Sequence, residues 1–376
     1  MFNIDFEQQQ INEHYDALCK NFNLLPIKVT AFYRAKINEE VLTLGHRSGP
    51  LHRIAYPTKE KITRRVSGEV SDFVEDRNNM SKTENFIIQK YKDRLLFLPT
   101  LEYFGHCQYC FRQDVLEEQK KMDHKSLLSQ LAVAIEYVQD HPEIEEIILS
   151  GGDPIMLLVR QMRQIIESIL GKTNVKYIRI HSRVLAYSPE TMSNDMMDIL
   201  SEAKIRFVSH FSHPYEICSV VANKLEKMNK YNGIKLYNQF PLLRNINDNA
   251  ILLVKHLKLL DDLNVRNLSI FIPDPINYSA SYRIPISRLR KLTNDINWNS
   301  PSWVNSTRFV MDTKYGKVRL DNIESYDEER QVAIFRRGNS TIEYPDFPED
   351  LDKPGDIKTM LWKEYADYSS LNIQQE

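Results

Sequence analysis

The sequence has few cysteines, little net charge and no long apolar run. Four cysteines in 376 residues do not form a disulfide scaffold, so a cytoplasmic protein is the simplest inference. A net charge of -2 gives no sign of a general nucleic-acid or membrane-surface binder. The chain has no apolar run of about 18 residues and no signal-peptide pattern at its N-terminus. We therefore expect a cytoplasmic protein that has neither nucleic acid nor membrane as a partner.

A regular alternation of short and long apolar patterns begins near residue 90. Short runs rich in β-branched and aromatic residues alternate with longer amphipathic stretches, which predicts βαβ units and a parallel sheet. Six or seven such units favour a complete or partial (β/α) barrel over a doubly wound sheet. The predicted strands are residues 94–99, 145–151, 177–183, 206–212, 235–243, 268–274 and 308–312.

The regions on either side lack this alternation. Residues 1–88 are predicted to form a mostly helical N-terminal extension, and residues 89–322 to form the barrel. Residues 323–376 contain several prolines, one predicted strand (QVAIFRR) and a late amphipathic stretch. We therefore predict an α/β fold that consists of a partial (β/α) barrel with two extensions.

Residues that could take part in binding or catalysis cluster where the predicted strands end. This end of the strands is the catalytic face of (β/α) barrels. Clustering at one face is a stronger signal than any single residue. In strand order these residues are Cys107 and Cys110, Gly151 to Asp153, His181 to Arg183, His210 and His213, Asn238 and Gln239, Asp274, and Asp312.

The stretch LEYFGHCQYCFRQD contains a pair of cysteines with two residues between them. This spacing is similar to the second half of a three-cysteine loop. Four residues before Cys107, where a first cysteine would fall, the sequence has Tyr103. The stretch is therefore either an iron–sulfur loop that lacks one ligand or a loop with two packed thiols.

Three other stretches have both a functional and an ordinary structural interpretation. The glycines of ILSGGDP allow a backbone to approach a ligand, or simply form a tight turn. The cations of KYKDR could hold a phosphate, or belong to a solvated turn. Lys317 could form a Schiff base with an aldehyde cofactor, or be solvated.

Taken together and in order, these stretches resemble the lysine 2,3-aminomutase family of radical S-adenosylmethionine (SAM) enzymes. The similarity covers roughly residues 85–325, with similar spacing between the motifs. The resemblance implies a partial (β/α) barrel of the radical SAM type. It also implies a [4Fe–4S] cluster, SAM and pyridoxal 5'-phosphate (PLP), which carry the chemistry while the protein orients and shields them.

For the cluster and SAM, the resemblance implies roles on three loops. Cys107 and Cys110 match two of the three cysteines that hold the cluster, and Tyr103 stands at the position of the missing one. His210, in HFSHP, matches a residue near the cofactor. The turn that contacts the SAM amino group is matched by Gly151, Gly152 and Asp153. Because a phenol is a hard donor with an ordinary pKa near 10, we expect a labile, substoichiometric or absent cluster.

For PLP, the resemblance implies a phosphate-binding block and a covalent attachment point. The block is matched by Lys90, Tyr91 and Arg94. Gln239 matches a further contact on the PLP side, and Lys317 matches the catalytic lysine that carries PLP. The turn before this lysine is shorter than in the family, so Lys314 is the alternative register.

For the substrate, the resemblance implies a lysine-like cation. Arg112 matches the arginine that pairs with the substrate carboxylate, and Asp274 and Asp312 match the aspartates that bind the distal ammonium group. Two carboxylates that face one pocket are costly unless a cation lies between them. The implied reaction is 2,3-amino migration on lysine or a related basic amino acid, free or protein-bound, with an external electron donor.

The family's C-terminal zinc-binding cysteines are absent, because the last cysteine is Cys218. This departure indicates a shorter paralogue and leaves open whether the chain forms a homo-oligomer. Two alternatives to the aminomutase hypothesis also stay open. One is a cluster-deficient homologue that binds PLP, another ligand or a partner protein without radical chemistry. The other is a PLP protein that performs polar chemistry such as racemisation.

Overall fold

A computed structural model of the chain describes residues 2–80, 86–121 and 126–365, with side chains from residue 5 onward. Parts of all three predicted regions lie outside these ranges. Residues 1 and 81–85 belong to the predicted N-terminal extension, 122–125 to the predicted barrel, and 366–376 to the predicted C-terminal extension.

The main sheet has nine strands that follow one another in chain order. Strands β2 to β8 pair in parallel, and β1 and β9 pair antiparallel at its two ends. Adjacent parallel strands in sequential order are expected of successive βα units in an open barrel. The strands are β1 (Ile87–Tyr91), β2 (Arg94–Thr100), β3 (Glu146–Gly151), β4 (Tyr177–Ser182), β5 (Arg206–Ser209), β6 (Lys235–Pro241), β7 (Arg266–Phe271), β8 (Arg308–Met311) and β9 (Val318–Arg319).

The predicted α/β fold with a parallel sheet is confirmed, and each of the seven predicted strands is one of the parallel strands β2 to β8. Strand β5 ends at Ser209, so His210 lies beyond it rather than within it. Strands β1 and β9 were not predicted. The charged turn between β1 and β2 and the two-residue length of β9 hide their strand character in the sequence.

A second sheet lies near the C-terminus and has three antiparallel strands. Its middle strand lies within the predicted QVAIFRR segment, whereas the outer two were not predicted. Phe335 and Tyr344 from this sheet share one apolar core with Phe309 and Met311 of β8. The C-terminal sheet therefore packs directly against the end of the main sheet. Its strands are β10 (Ile323–Asp327), β11 (Val332–Arg337) and β12 (Ser340–Pro345).

Helices precede the sheet and connect its parallel strands. The described residues also form six short 3-10 helices, at Pro154–Met156, Pro189–Thr191, Pro214–Glu216, Ala280–Tyr282, Leu320–Asn322 and Glu349–Leu351. The α-helices are α1 (Phe2–Phe22), α2 (Ala31–Leu44), α3 (Pro50–Ala55), α4 (Lys59–Thr63), α5 (Asp76–Asn79), α6 (Gln113–Lys120), α7 (Leu127–Asp140), α8 (Val159–Lys172), α9 (Val184–Tyr187), α10 (Asn194–Glu202), α11 (Ser219–Asn229), α12 (Ala250–Asp262), α13 (Ile286–Asn299), α14 (Ser302–Asn305) and α15 (Ile357–Met360).

Helix α7 shows how the sequence pattern produces this packing. Its buried residues include Leu131, Ala134, Ile135 and Val138, which recur at the three- and four-residue steps of one helix face. The Ser126 side chain accepts a hydrogen bond from the Ser129 amide and so caps the first turn. The apolar face packs into the same core as the buried side chains of β2, β3 and β4. In the described part of the chain, no helix combines the length and apolar character needed to cross a bilayer.

Candidate functional site

The carboxyl ends of the parallel strands surround a cavity of about 310 Å³, within the size range of small-molecule sites. Apart from Lys314, the alternative to Lys317, every residue predicted above for the cluster, the cofactors and the substrate lines it. The roles of these residues stay predictions, but their convergence is a structural fact. They are Lys90, Tyr91, Arg94, Tyr103, Cys107, Cys110, Arg112, Gly151, Gly152, Asp153, His210, Gln239, Asp274, Asp312 and Lys317.

A turn with two glycines joins the end of β3 to the segment that follows β2. Gly151 has a φ of +98°, a conformation that other residues rarely adopt. The Gly152 amide donates to the Thr100 carbonyl at 2.7 Å, and the Asp153 amide donates to the Glu102 carbonyl at 2.7 Å. The glycines are therefore needed for close backbone packing as well as for access to the cavity.

We predict that Gly152→Ala destabilises the protein by about 1–3 kcal/mol, because overpacking a tight contact has roughly this cost. A Cβ at Gly152 would lie 2.6 Å from the Glu102 amide nitrogen and closer still to the Glu102 carbonyl oxygen. Gly171→Ala is the control, since a Cβ there meets nothing within 4 Å. Urea unfolding measures both variants. Equal unfolding midpoints for the two variants would contradict the prediction.

The N-terminal extension holds the cysteine loop in place. The His106 amide donates to the Lys28 carbonyl at 2.9 Å, and the Gln108 amide donates to the Ile54 carbonyl at 2.9 Å. The buried Lys61 ammonium donates to the Gln108 carbonyl at 2.5 Å. The loop is thus fixed by hydrogen bonds to three separate segments that precede the sheet.

The side chains of this loop already have partners within the protein. The Tyr103 hydroxyl donates to the Gly151 carbonyl, and burial raises the pKa of Tyr103 well above its usual range. The Cys107 sulfur accepts from Arg183 Nη1 at 2.5 Å. Burial, with a smaller contribution from Cys107, raises the pKa of the Cys110 thiol to about 12. Tyr103 is therefore a neutral hydrogen-bond donor, and Cys110 is held as a thiol.

These donors do not fit the cluster that the family resemblance implies. A cluster that cleaves SAM needs three soft thiolates, and this loop offers two thiols and a phenol. Across residues 2–80, 86–121 and 126–365, no group of three or more histidine, cysteine, aspartate or glutamate side chains is arranged to hold a metal ion.

Arg183 is a cavity residue to which the sequence analysis gave no role. Its guanidinium donates to Cys107, to the Tyr109 hydroxyl at 2.8 Å and to the Glu216 carboxylate. Glu216 is fully buried and also accepts from the Tyr33 hydroxyl at 2.9 Å. The position of Arg183 at a strand end was visible in the sequence, but its pairing with Glu216 depends on the fold.

Two predicted residues on the SAM side contact other residues of this chain. The Asp153 carboxylate accepts from the Ser182 hydroxyl and from the Arg183 amide, both at 2.8 Å, and burial raises its pKa to about 6. The His210 ring stacks on Tyr109 with centroids 5.9 Å apart, and burial lowers the His210 pKa well below its usual value. Asp153 therefore holds a turn together, while His210 presents a neutral imidazole.

On the predicted PLP side, Gln239 Nε2 lies 3.3 Å from His181 Nδ1. His181 was not assigned a role from the sequence. Burial lowers its pKa well below the usual value, and its Nε2 is inaccessible to solvent without a hydrogen-bond partner. The pair therefore presents neutral, polar groups to the cavity.

Lys317 and Lys314 lie in different surroundings. The Lys317 ammonium nitrogen is 5.1 Å from the centroid of the Phe271 ring, and burial lowers the pKa of this amine. The Lys317 amide donates to the Tyr91 hydroxyl at 2.9 Å. Lys314 instead pairs with Glu75 at 2.9 Å, and its side chain is 41% exposed. Lys317 is therefore the lysine with the environment of a reactive amine.

These surroundings fit PLP. A partly buried amine with a lowered pKa lies beside aromatic and cationic side chains. The Arg94 guanidinium lies 4.8 Å from the centroid of the Tyr91 ring and also pairs with Asp93 at 2.8 Å. Arg94 and Tyr91 could contact a phosphate at the rim, and Lys317 could attach the aldehyde.

The predicted substrate end contains both paired and unpaired carboxylates. Asp274 Oδ1 is inaccessible to solvent and has no hydrogen-bond partner. Burial, together with the nearby Asp312, raises the pKa of Asp274 well above its usual range. Asp312 lies 3.7 Å from Lys90, and Arg112 pairs with Asp76 at 2.5 Å. Among the described residues, Asp274 is thus the carboxylate at this end of the cavity without an ion-paired cation, and Asp76 is a cavity residue that sequence analysis missed.

Comparisons with known proteins agree with the sequence motifs. A model of the family described as a 4Fe-4S single cluster domain matches residues 104–223, which include both loop cysteines but not position 103. An L-lysine 2,3-aminomutase of Buchnera aphidicola is 32% identical over 219 residues, or 57% of this chain and 62% of the relative. One of Haemophilus influenzae is 31% identical over 199 residues, or 52% of this chain and 56% of the relative.

Another relative is aligned over a longer stretch. A putative L-lysine 2,3-aminomutase of Aquifex aeolicus is 26% identical over 303 residues, which cover 78% of this chain and 76% of the relative. The chain thus spans less than two thirds of the Buchnera and Haemophilus relatives and about three quarters of the Aquifex protein. Together with the parallel α/β fold and the convergent cavity, these matches support the resemblance of the chain to the lysine 2,3-aminomutase family.

Proposed function

We propose that this chain binds PLP and a lysine-like cation in the cavity, without the cluster that would cleave SAM. One observation carries the proposal. Within the described residues, the cavity holds an amine without an ion pair, Lys317, and a carboxylate whose Oδ1 has no hydrogen-bond partner, Asp274, while a phenol occupies the position of the third thiolate.

The PLP part of the proposal depends on Lys317. Attack on an aldehyde requires a neutral amine, and burial favours that form by lowering the pKa of Lys317. PLP supplies an electron sink when it is bound. The neighbouring Tyr91 accepts from the Lys317 amide and so fixes the backbone that carries the amine.

The cation part of the proposal depends on Asp274 and Asp312. Burial opposes ionisation of Asp274, and the neighbouring Asp312 opposes it further. An ammonium group placed beside the two carboxylates would relieve both penalties. Because Lys90 already lies 3.7 Å from Asp312, the group left for a ligand is Asp274.

Amino migration on lysine is the second candidate function. It is favoured by the names of the relatives and by the 4Fe-4S family match, which includes Cys107 and Cys110. This function would also require SAM and an external electron donor. The iron content of the protein distinguishes the two candidates, because only the second needs an assembled cluster.

We predict that PLP attaches to Lys317. Protein incubated with PLP and reduced with borohydride should carry one pyridoxyl group, located on Lys317 by peptide mass spectrometry. Lys317→Gln should abolish the label. Lys314→Gln is the matched control and should retain it, since Lys314 is exposed and paired with Glu75. A label on Lys314, or no label at all, would remove PLP from the proposed function.

A further inference from the structure

Nearly all cations that line the cavity are already paired with carboxylates of this chain. Among the described residues, Lys317 is the cavity-lining lysine or arginine with no carboxylate within ion-pairing distance. A carboxylate ligand that enters the cavity therefore meets one uncommitted ammonium group. The pairs are Lys90 with Asp76 and Asp312, Arg94 with Asp93, Arg112 with Asp76, Arg179 with Glu146, and Arg183 with Glu216.

Asp76 is the residue whose carboxylate forms an ion pair with Arg112. Asp76 Oδ2 accepts from Arg112 Nε at 2.5 Å, and Asp76 Oδ1 lies 3.7 Å from the Lys90 ammonium. Asp76 is only 1% exposed, so water screens this carboxylate little. Separating a buried pair leaves charges without compensation. A substrate carboxylate that approached Arg112 would therefore meet the like charge of Asp76, which already pairs with Nε of this guanidinium.

Helix α5 fixes the position of Asp76. The Asp72 carboxylate accepts from the backbone amides of Asp76 and Arg77, both at 3.0 Å. The Arg77 guanidinium donates two hydrogen bonds to Glu118, at 2.9 and 2.7 Å. Glu118 lies in α6, the helix that directly follows Arg112. Asp76 and Arg112 are therefore held on two elements that are tied to each other.

We propose that Asp76 is a specificity-determining residue, because its carboxylate pairs with Arg112 and opposes the binding of a second carboxylate there. The cavity then takes an alkylammonium ligand that has no free carboxylate at this position. An α,ω-diamine and a lysine whose carboxylate is blocked as an amide share this chemistry. The inference rests on the proposed function, since it names the class of cation that the cavity receives.

Wild-type protein tests the inference directly. Calorimetric titration of the full-length, PLP-loaded chain with lysinamide, 1,5-diaminopentane and lysine compares ligands that share the distal ammonium group. We expect lysinamide to bind about tenfold or more tightly than lysine, because the carboxylate of lysine meets the like charge of Asp76 beside Arg112. Tight binding of diaminopentane as well would identify a simple diamine as a ligand, and tight binding of lysinamide alone would identify a lysyl amide. Lysine binding as tightly as lysinamide would overturn the inference but leave the proposed function intact.

Two variants separate the effect of Asp76 from the general charge of the cavity. Asp76→Asn frees Arg112 and should shift the ratio of lysine to lysinamide affinity towards lysine by about tenfold. Glu75→Gln removes the adjacent carboxylate, which pairs with the exposed Lys314, and should leave the ratio unchanged. An unchanged ratio in Asp76→Asn would overturn the role of Asp76. If Asp76→Asn does not fold, the wild-type comparison decides. If none of the three ligands binds wild-type protein, both the inference and the proposed function fail.

Discussion

Tyr103→Cys is expected to raise the iron content of the anaerobically reconstituted protein from well below one atom to about four atoms per chain. In the wild-type chain the Tyr103 hydroxyl donates to the Gly151 carbonyl, and burial keeps this phenol protonated. A thiol at this position would complete a three-cysteine set with Cys107 and Cys110, and metal binding readily deprotonates thiols. Iron and sulfide quantification, together with the visible absorption of the cluster, provides the measurement.

Two further variants make this result specific. Tyr103→Ser removes the ring without adding a thiol and should stay iron-poor. Tyr103→Cys combined with Cys107→Ala should lose the iron that the single variant gains, because the set again contains two thiols. The expectation fails if wild-type protein already holds about four irons per chain, or if Tyr103→Cys holds no more than wild type. The first result would favour amino migration with an assembled cluster. The second would favour a loop that was never an iron site.

The fold could be predicted from the sequence because the apolar pattern of each strand or helix lies within its own short stretch of residues. Apolar runs such as EEIILSG and the amphipathic stretch of α7 each signal their own element, and their alternation gives the parallel order. Strands β1 and β9 escaped prediction because each depends on an antiparallel partner. Short or charged segments such as these carry little periodicity of their own.

The candidate site was predicted less completely, and the missed residues share a physical cause. Asp76 lies 36 residues before Arg112, in a segment without a recognisable motif. Its effect arises only when α5 packs beside the cavity. Glu216 likewise acts on Arg183 across 33 residues of chain. The residue types at the strand ends identified the cavity. The carboxylates that pair with Arg112 and Arg183, however, are distant in the sequence, and no spacing rule predicts these contacts.

Asp274 is unusual among the carboxylates of the cavity because, in the described residues, it has no cation within ion-pairing distance and its buried Oδ1 has no hydrogen-bond partner. A buried carboxylate of this kind has a raised pKa and is a costly feature unless a ligand supplies a cation. Asp312 and Asp76, by contrast, share Lys90. The distal ammonium of a lysine-like ligand should therefore depend mainly on Asp274.

Asp274→Asn is expected to weaken lysine binding by about 2–5 kcal/mol, or roughly 30-fold or more, while affecting norleucine little. Norleucine has the same backbone groups as lysine but lacks the distal ammonium, so the comparison isolates the contact with Asp274. Asp262→Asn, on the exposed end of α12, is the control and should leave both affinities unchanged. If wild-type protein bound norleucine as tightly as lysine in the same calorimetric titration, Asp274 would not be the ammonium site.

The assignment of Asp274 as the ammonium site also determines whether lysine affinity rises or falls with pH. The raised pKa of Asp274 means that this carboxyl is protonated to a higher pH than an ordinary aspartate. A protonated carboxyl cannot form an ion pair, so lysine affinity should increase as the pH rises through the Asp274 pKa and decrease as it falls below it. Asp274→Asn has no such group and should lose this part of the pH dependence. A wild-type affinity that falls with rising pH, or a slope that Asp274→Asn retains, would show that another group governs cation binding in this cavity.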